Sequence, residues 1–291
     1  MQAILDVPAP AKLNLFLHIT GRRADGYHLL QSVFMLIDWC DTLHFERSTD
    51  SAITREDLHG TTSDGLLLPA DDLCTRAARA LQEATGCRQG AHIGLHKRIP
   101  AQAGMGGGSS DAATTLLALN RLWGLGLTLQ QLEAIGLSLG ADVPFFLRGH
   151  NAWVEGTGEL ITAIDLPAAS FVVAKPPAGL DTKTIFSDAG LKRDTKPAIL
   201  SGFAAHPWGF GHNDLQPVAE RLCPPIAEGL ARLEGHGLQG RMTGSGSAIF
   251  ARSIGSEPDN LVKTFEQAGW QARVCDNMGV HPLVGWATMK D

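Results

Sequence analysis

The chain has 291 residues, enough for a large core and, at ordinary domain sizes, for about two domains. Hydrophobic residues make up 44% and charged residues 19%, the balance of a folded globule and not of a disordered chain. A net charge of -6 argues against a general binder of nucleic acid or of an acidic membrane surface, allows at most a local basic pocket, and points to small-molecule partners. Cys40, Cys74, Cys87, Cys223 and Cys275 are odd in number, far apart and without a C-x-x-C pair, so neither a disulfide framework nor a zinc site is expected and a reducing cytoplasm fits. No basic stretch leads into an apolar one at the N-terminus, and no run of about 18 apolar residues appears, so neither a signal peptide nor a membrane span is expected.

Residues 3–7, 13–19, 32–37 and 42–46 are short alternating or apolar runs separated by turn-rich segments at 21–26 and 38–41, which predicts antiparallel strands. Asp72-Leu-Cys-Thr-Arg-Ala-Ala-Arg-Ala-Leu-Gln-Glu-Ala spaces its apolar positions by three and four, opens on Asp and stops at Gly86, the pattern of a capped amphipathic helix. Residues 91–99 alternate as a strand and run into Pro100-Ala101-Gln102-Ala103-Gly104-Met105-Gly106-Gly107-Gly108-Ser109-Ser110. From Asp111 to Trp123 the pattern is helical again. Residues 128–139 predict a helix with Thr128 as N-cap, which leads into Gly140-Ala141-Asp142-Val143-Pro144-Phe145-Phe146. Two short strands are expected in 151–164 around Gly156-Thr157-Gly158, with a domain boundary near 161–167.

The second half predicts a strand at 171–174, helices around 181–187 and from 215 through 221 to 233, a strand at 247–251, a helix at 257–268 and a strand at 271–275. That is a mixed α+β unit of β-α-α-β-α-β order. A second glycine loop, Thr243-Gly244-Ser245-Gly246-Ser247, precedes its central strand. No repeat, low-complexity tract or long charge run interrupts the chain.

Strand, glycine loop, helix is an arrangement built to hold phosphate. Four glycines among the five residues from Gly104 to Gly108 let backbone N–H groups approach a ligand, and the helix's first turn points unpaired N–H groups and the positive end of its dipole at the same spot. The loop lacks the lysine of a Walker A motif and the acid-terminated G-x-G-x-x-G layout of a dinucleotide fold. A plain turn remains the alternative, and Ser109 and Ser110 are equally suited to capping the helix and to meeting phosphate or Mg²⁺. Lys12 stands in an apolar strand, either as a surface lysine laid along it or as a functional cation. Asp142 is likewise set in an apolar segment, as a turn or N-cap aspartate or as a reactive carboxylate. His28, after Tyr27, reads on its own as a turn-flanking histidine. His92 and His96 alternate on one strand with no third ligand nearby, which makes a solvent-facing pair and no metal site.

Pro10-Ala11-Lys12-Leu13-Asn14-Leu15, the 100–110 loop with Asp111-Ala112-Ala113, and Gly244-Ser245-Gly246-Ser247 resemble the three signature segments of the GHMP kinase superfamily. With Gly21-Arg-Arg-Ala-Asp-Gly-Tyr-His, Leu139-Gly-Ala-Asp-Val-Pro-Phe-Phe and Asn213-Asp-Leu, the chain is similar, from residue 8 to 275, to the branch that phosphorylates 4-diphosphocytidyl-2-C-methyl-D-erythritol in the non-mevalonate isoprenoid route. The resemblance implies an α+β fold of two domains: an N-terminal mixed β/α ATP-binding domain over 1–163 and a ferredoxin-like α+β domain over 164–291, with the active site in the cleft between them. It also implies a cytoplasmic monomer or homodimer that transfers the ATP γ-phosphoryl group to the substrate's 2-hydroxyl with Mg²⁺, for which no protein ligand is assigned.

By the same resemblance Lys12 and Asp142 are the catalytic pair, Lys97 and Pro100 to Ser110 hold the nucleotide, and Asn14, Tyr27 and His28 contact the cytidine and erythritol parts. The segment 189–211, with Trp208, matches no pattern of the family. Two other readings are a GHMP kinase for mevalonate, homoserine or a sugar, against which Tyr27-His28 and Asn213-Asp214 stand, and a non-catalytic sensor, against which intact Lys12 and Asp142 stand.

Overall fold

The computed structural model describes residues 1–58, 69–253 and 258–288. The four short strands expected at the start are two long ones, β1 (Ala3–Arg22) and β2 (His28–Arg47), paired antiparallel. Pro8 and Pro10, which lack an N–H, do not end β1, because register shifts between Ile4 and Val7 and between Pro10 and Ala11 absorb the irregularity. The segment expected as a turn at 38–41 stays in β2, where Trp39 is buried in the core and Asp41, fully buried, has partners inside the protein.

Strands β3 (Ile53–Asp57), β4 (Ala91–His96), β5 (Ala152–Glu155) and β6 (Leu160–Ala163) extend the sheet in the order β3-β4-β2-β5-β6, with β1 also on β2. Four helices accompany it: α1 (Leu73–Thr85), α2 (Gly107–Trp123), α3 (Leu129–Leu139) and α4 (Val143–Arg148). They share a core with the sheet in which Leu81, Leu116, Phe145 and Phe45 are wholly buried. The local signals of α1 and α3 are realised as read. Asp72 accepts from Thr75 N at 3.0 Å, Gly86 closes α1 at φ 67°, and Thr128 with Gln131 forms a reciprocal capping box.

The second half holds β7 (Ser170–Lys175), α5 (Thr182–Ser187), α6 (Leu200–Ala205), α7 (Gln216–Leu222), α8 (Pro225–Gly235), β8 (Gly240–Met242), β9 (Ile249–Arg252), α9 (Pro258–Gln267) and β10 (Gln271–Asp276). Its antiparallel sheet runs β10-β7-β9-β8, the ferredoxin-like order. The three-strand order expected here lacks β8, whose three residues are too few to show a pattern. The helical stretch from 215 to 233 is two helices, since Pro224 and Pro225 cannot continue the first and suit the start of the second. The expected start of the last helix at Glu257 lies outside the described residues.

The two halves meet along β1. Leu13, Phe16, Met35 and Ile37 from the first sheet share a core with Phe171, Val173 and Phe250 from the second. Leu17 N donates to His212 O at 2.9 Å and Asp214 N to Leu17 O at 2.8 Å. The chain then returns to the first half, where Met278 N donates to Leu36 O at 2.9 Å and Leu129 N to Thr288 O at 3.0 Å.

Candidate active site

At this seam lies a cleft of about 610 Å³, bounded by Pro100 to Ser109, Lys12, Asn14, Asp142, Phe186 and the second glycine loop. Helix α2 begins at Gly107, four residues before the start expected at Asp111, so the last glycines of the loop are the helix's first turn. Its N-cap is Gly106 at φ 69°, and no side chain caps it. Ser109 and Ser110 are therefore inside the helix and not its caps. The N–H groups of Gly107, Gly108 and Ser109 precede the first intrahelical bond, from Ser110 N to Gly106 O at 2.9 Å, and are left for a ligand.

Two glycines explain how the loop is seated. A Cβ on Gly106 would fall 3.0 Å from the Phe146 ring and 3.2 Å from Lys12 Cγ. One on Gly104, at φ 71°, would meet Gly246 N at 2.8 Å. The two glycine loops thus press bare backbone on bare backbone, and Ser247 N and Ala248 N donate to Gln102 O at 3.0 Å and Ala103 O at 3.1 Å.

Lys12 is 4% exposed and does not lie along the surface. Its Nζ donates to Asn14 Oδ1, stands 3.5 Å from Asp142 Oδ2, and sits 4.3 Å from the Phe34 ring centre. Burial lowers the Lys12 pKa from its ordinary value, and the Asp142 carboxylate opposes that shift. Asp142 occupies the N-cap position of α4 but makes no capping bond, so its carboxylate is committed to Lys12.

Asn14, expected as a substrate contact, has both ends of its amide engaged. Its Oδ1 accepts from Lys12 and its Nδ2 donates to Ser32 Oγ at 2.8 Å, while its backbone N donates to Thr243 Oγ1 at 2.9 Å. It lines the cleft and holds the lysine ammonium. Lys97 borders the cleft, but its ammonium is held behind the loop by Asp41 and by Asp111 Oδ2 at 2.6 Å. Burial works against that charge, yet Asp111 and Asp41 outweigh it and hold the lysine pKa above its usual range. Asp41 Oδ1 also accepts from Arg98 N at 2.6 Å and Ile99 N at 2.8 Å, which ties the strand into the loop.

Tyr27 is 66% exposed on the turn between β1 and β2, and His28 is half-buried. Neither borders the cleft directly. His28 reaches it through Phe186, whose ring centre is 5.1 Å away and which does line the cleft. Arg193 Nε donates to His28 Nε2 at 3.0 Å, which assigns the ring proton to Nδ1. Burial, then Arg193 and Arg22, lower the His28 pKa and keep the ring neutral. Phe186 and Arg193 carry no signal in the sequence, because their partner is more than 150 residues away. His92 pairs with Thr54 at 2.9 Å and Glu56 at 3.4 Å, and no cluster of three or more His, Cys, Asp or Glu able to hold a metal occurs among the described residues.

The GHMP kinases N terminal domain family matches residues 72–150, and the GHMP kinases C terminal family matches residues 204–269. The chain is 65% identical to the 4-diphosphocytidyl-2-C-methyl-D-erythritol kinase of Paracidovorax citrulli and 62% identical to that of Verminephrobacter eiseniae, over 100% of each chain in both cases. Among solved structures it is similar to a 4-(cytidine 5'-diphospho)-2C-methyl-D-erythritol kinase with TM-score 0.80 and 34% identity, covering 94% of this chain and 100% of that one. A homoserine kinase from Cytophaga hutchinsonii, with TM-score 0.71 and 19% identity over 97% of this chain and 96% of its own, shares the fold.

Proposed function

This chain belongs to the GHMP kinase family, among its 4-diphosphocytidyl-2-C-methyl-D-erythritol kinases, and we propose that Lys12 and Asp142 are its catalytic pair. It phosphorylates the 2-hydroxyl of 4-diphosphocytidyl-2-C-methyl-D-erythritol with ATP, giving ADP and the 2-phosphate, in the non-mevalonate isoprenoid route. The observation that carries the assignment of roles is the Lys12–Asp142 contact of 3.5 Å, placed against the glycine loop.

The loop and the N-terminus of α2 hold the β- and γ-phosphates with backbone N–H groups and the helix dipole, donors already oriented before the reaction. Asp142 takes the proton of the substrate hydroxyl as it attacks. Lys12, steadied by Asn14, stands beside that carboxylate and favours the hydroxyl oxygen as it gains negative charge. Magnesium fits this site: an ion chelated by nucleotide phosphates needs only one or two protein oxygens, and the buried Ser110 hydroxyl at the start of α2 has no hydrogen-bond partner among the described residues. The ion would supply neutralisation of the phosphate charge.

Phe186, backed by His28, forms the wall on which the cytosine ring lies, with Tyr27 on the adjoining turn as a further contact to that substrate and the His28 Nδ1–H available to a base acceptor. Lys97 shapes the loop from behind. We place the divide between the halves at 163/164, in the connection from β6 to β7, and the enzyme in the cytoplasm, where its five free thiols stay reduced. Single-turnover ADP formation by Asp142→Asn tests the central assignment. Turnover close to that of the unaltered enzyme would remove Asp142 from the reaction.

A further inference from the structure

A second cavity, of about 230 Å³, shares no lining residue with the cleft. Arg241, Arg252, Gln239, Trp208, Phe171 and Phe250 enclose it, with Leu15 of β1 at its base. Its chemistry follows from strand register. Arg241 lies opposite Phe250, and Arg252 opposite Phe171. Because Phe250 and Arg252 are two apart on β9, all four residues share one face of the second sheet. The result is a checkerboard of two guanidinium groups and two aromatic rings, which the segment around Trp208 covers.

Among the described residues the positive charge here is uncompensated. Arg241 donates through Nη1 to Leu15 O and to Phe210 O at 2.7 Å, both neutral acceptors. Its Nε and Nη2 donors have no acceptor, and neither arginine has a carboxylate within ion-pair distance, among the described residues. Burial lowers the Arg241 pKa to about 10, and no acidic neighbour among the described residues offsets it. Partly buried charges in folded proteins are ordinarily paired, and a guanidinium facing a cavity with spare donors is an anion receptor in want of its anion. Arg252 stands 5.6 Å from the Trp208 ring centre, so one wall offers cation and flat apolar surface together.

We propose that this cavity is a binding site for a small organophosphate, with its phosphate on Arg241 and Arg252 and a flat apolar body against Trp208, Phe171 and Phe250. Two guanidinium forks suit a tetrahedral dianion better than a lone carboxylate, and the aromatic walls select a phosphate ester over the bare ion. The site is joined to the catalytic strand. Arg241 bonds the carbonyl of Leu15, next to Asn14, and lies two residues before Thr243, which accepts from Asn14 N at 2.9 Å.

Calorimetric titration of phenyl phosphate into enzyme saturated with both ADP and 4-diphosphocytidyl-2-C-methyl-D-erythritol, a pair that does not turn over, tests this, because both halves of the cleft are then filled. One phenyl phosphate per chain is expected to bind, more tightly than inorganic phosphate, while phenol alone gives no heat. Arg252→Gln and Trp208→Leu, both at the cavity rim, are each expected to weaken phenyl phosphate about tenfold, the effect of one charge-assisted or stacking contact, with unchanged circular dichroism and turnover. No heat with the cleft filled, or equal affinity in both variants and the unaltered enzyme, overturns the proposal. Equal affinity for phosphate and phenyl phosphate overturns its aromatic half.

Discussion

Replacing Asp142 by Asn is the sharpest test of the catalytic pair. The change keeps the size of the side chain, and the carboxylate it removes caps no helix, so α4 loses nothing it depends on. General-base help is worth about 10²- to 10⁴-fold in rate, which at about 1.36 kcal/mol per decade is roughly 3–5 kcal/mol of barrier. The same substitution acts on Lys12. Burial already lowers the pKa of that ammonium, and Asp142, 3.5 Å away, is what opposes the shift.

Without the carboxylate the Lys12 pKa falls further. The active form needs the ammonium, so activity declines as pH rises through the Lys12 pKa, and the basic limb of the profile moves to lower pH in the variant. Single-turnover ADP formation, followed from neutral to strongly basic pH with ATP affinity measured in parallel, reads both effects. The expected result is kcat down by about 10²- to 10⁴-fold, ATP affinity retained, and the limb displaced toward acid. A loss smaller than about tenfold, or a limb that stays in place or moves up, refutes the reasoning.

Four further outcomes follow. Gly106→Ala places a methyl group in a left-handed conformation, 3.2 Å from Lys12 Cγ, and is expected to lower kcat by about 10²-fold through misplacement of the lysine; an unchanged kcat would show that the loop does not align it. Phe186→Ala is expected to remove about 1–3 kcal/mol from kcat/KM for the cytidylyl substrate, while the KM for ATP stays the same; a raised KM for ATP instead would put Phe186 on the nucleotide. Lys97→Met leaves buried Asp41 and Asp111 without their cation and is expected to lose about 3–5 kcal/mol in urea unfolding; a loss below about 1 kcal/mol would leave Lys97 as a nucleotide contact. His281 is 1% exposed with its pKa lowered by burial to about 4, so the unfolded chain binds a proton that the folded one refuses. Stability is whole above about pH 6.5 and falls by up to about 3 kcal/mol as pH drops toward 4. His281→Asn, which keeps an acceptor for Leu283 N, should flatten that dependence, and an equally steep decline would assign it elsewhere.

What the sequence disclosed and what it hid divide along the range of the interactions. Asp72, Gly86, Thr128 and Gln131 act within one turn of their own helix, so α1 and α3 are legible to within a residue. The start of α2 is misplaced by its glycines, which are poor helix formers on any propensity scale yet begin the helix here. A Cβ on Gly107 would point at Ile99 and Lys97, 3.0 and 3.1 Å away, so glycine at that position answers to packing beneath the loop and not to the approach of phosphate. Lys12 and Asp142 are visible as charges in apolar surroundings. Their burial and their contact are not visible, and neither is the Lys97, Asp41 and Asp111 cluster gathered from three separate segments.

The position of Gly106 joins the halves of the site that the sequence kept apart. It caps the helix that receives the phosphates, and its missing side chain is the space that Lys12 and Phe146 occupy, with Lys12 N bonded to Met105 O at 2.9 Å. The loop that holds ATP is thus also the surface against which the catalytic lysine is aligned. Nucleotide placement and activation of the acceptor hydroxyl are therefore one geometric problem in this fold, and a perturbation of the loop at this point must register in kcat as well as in the KM for ATP.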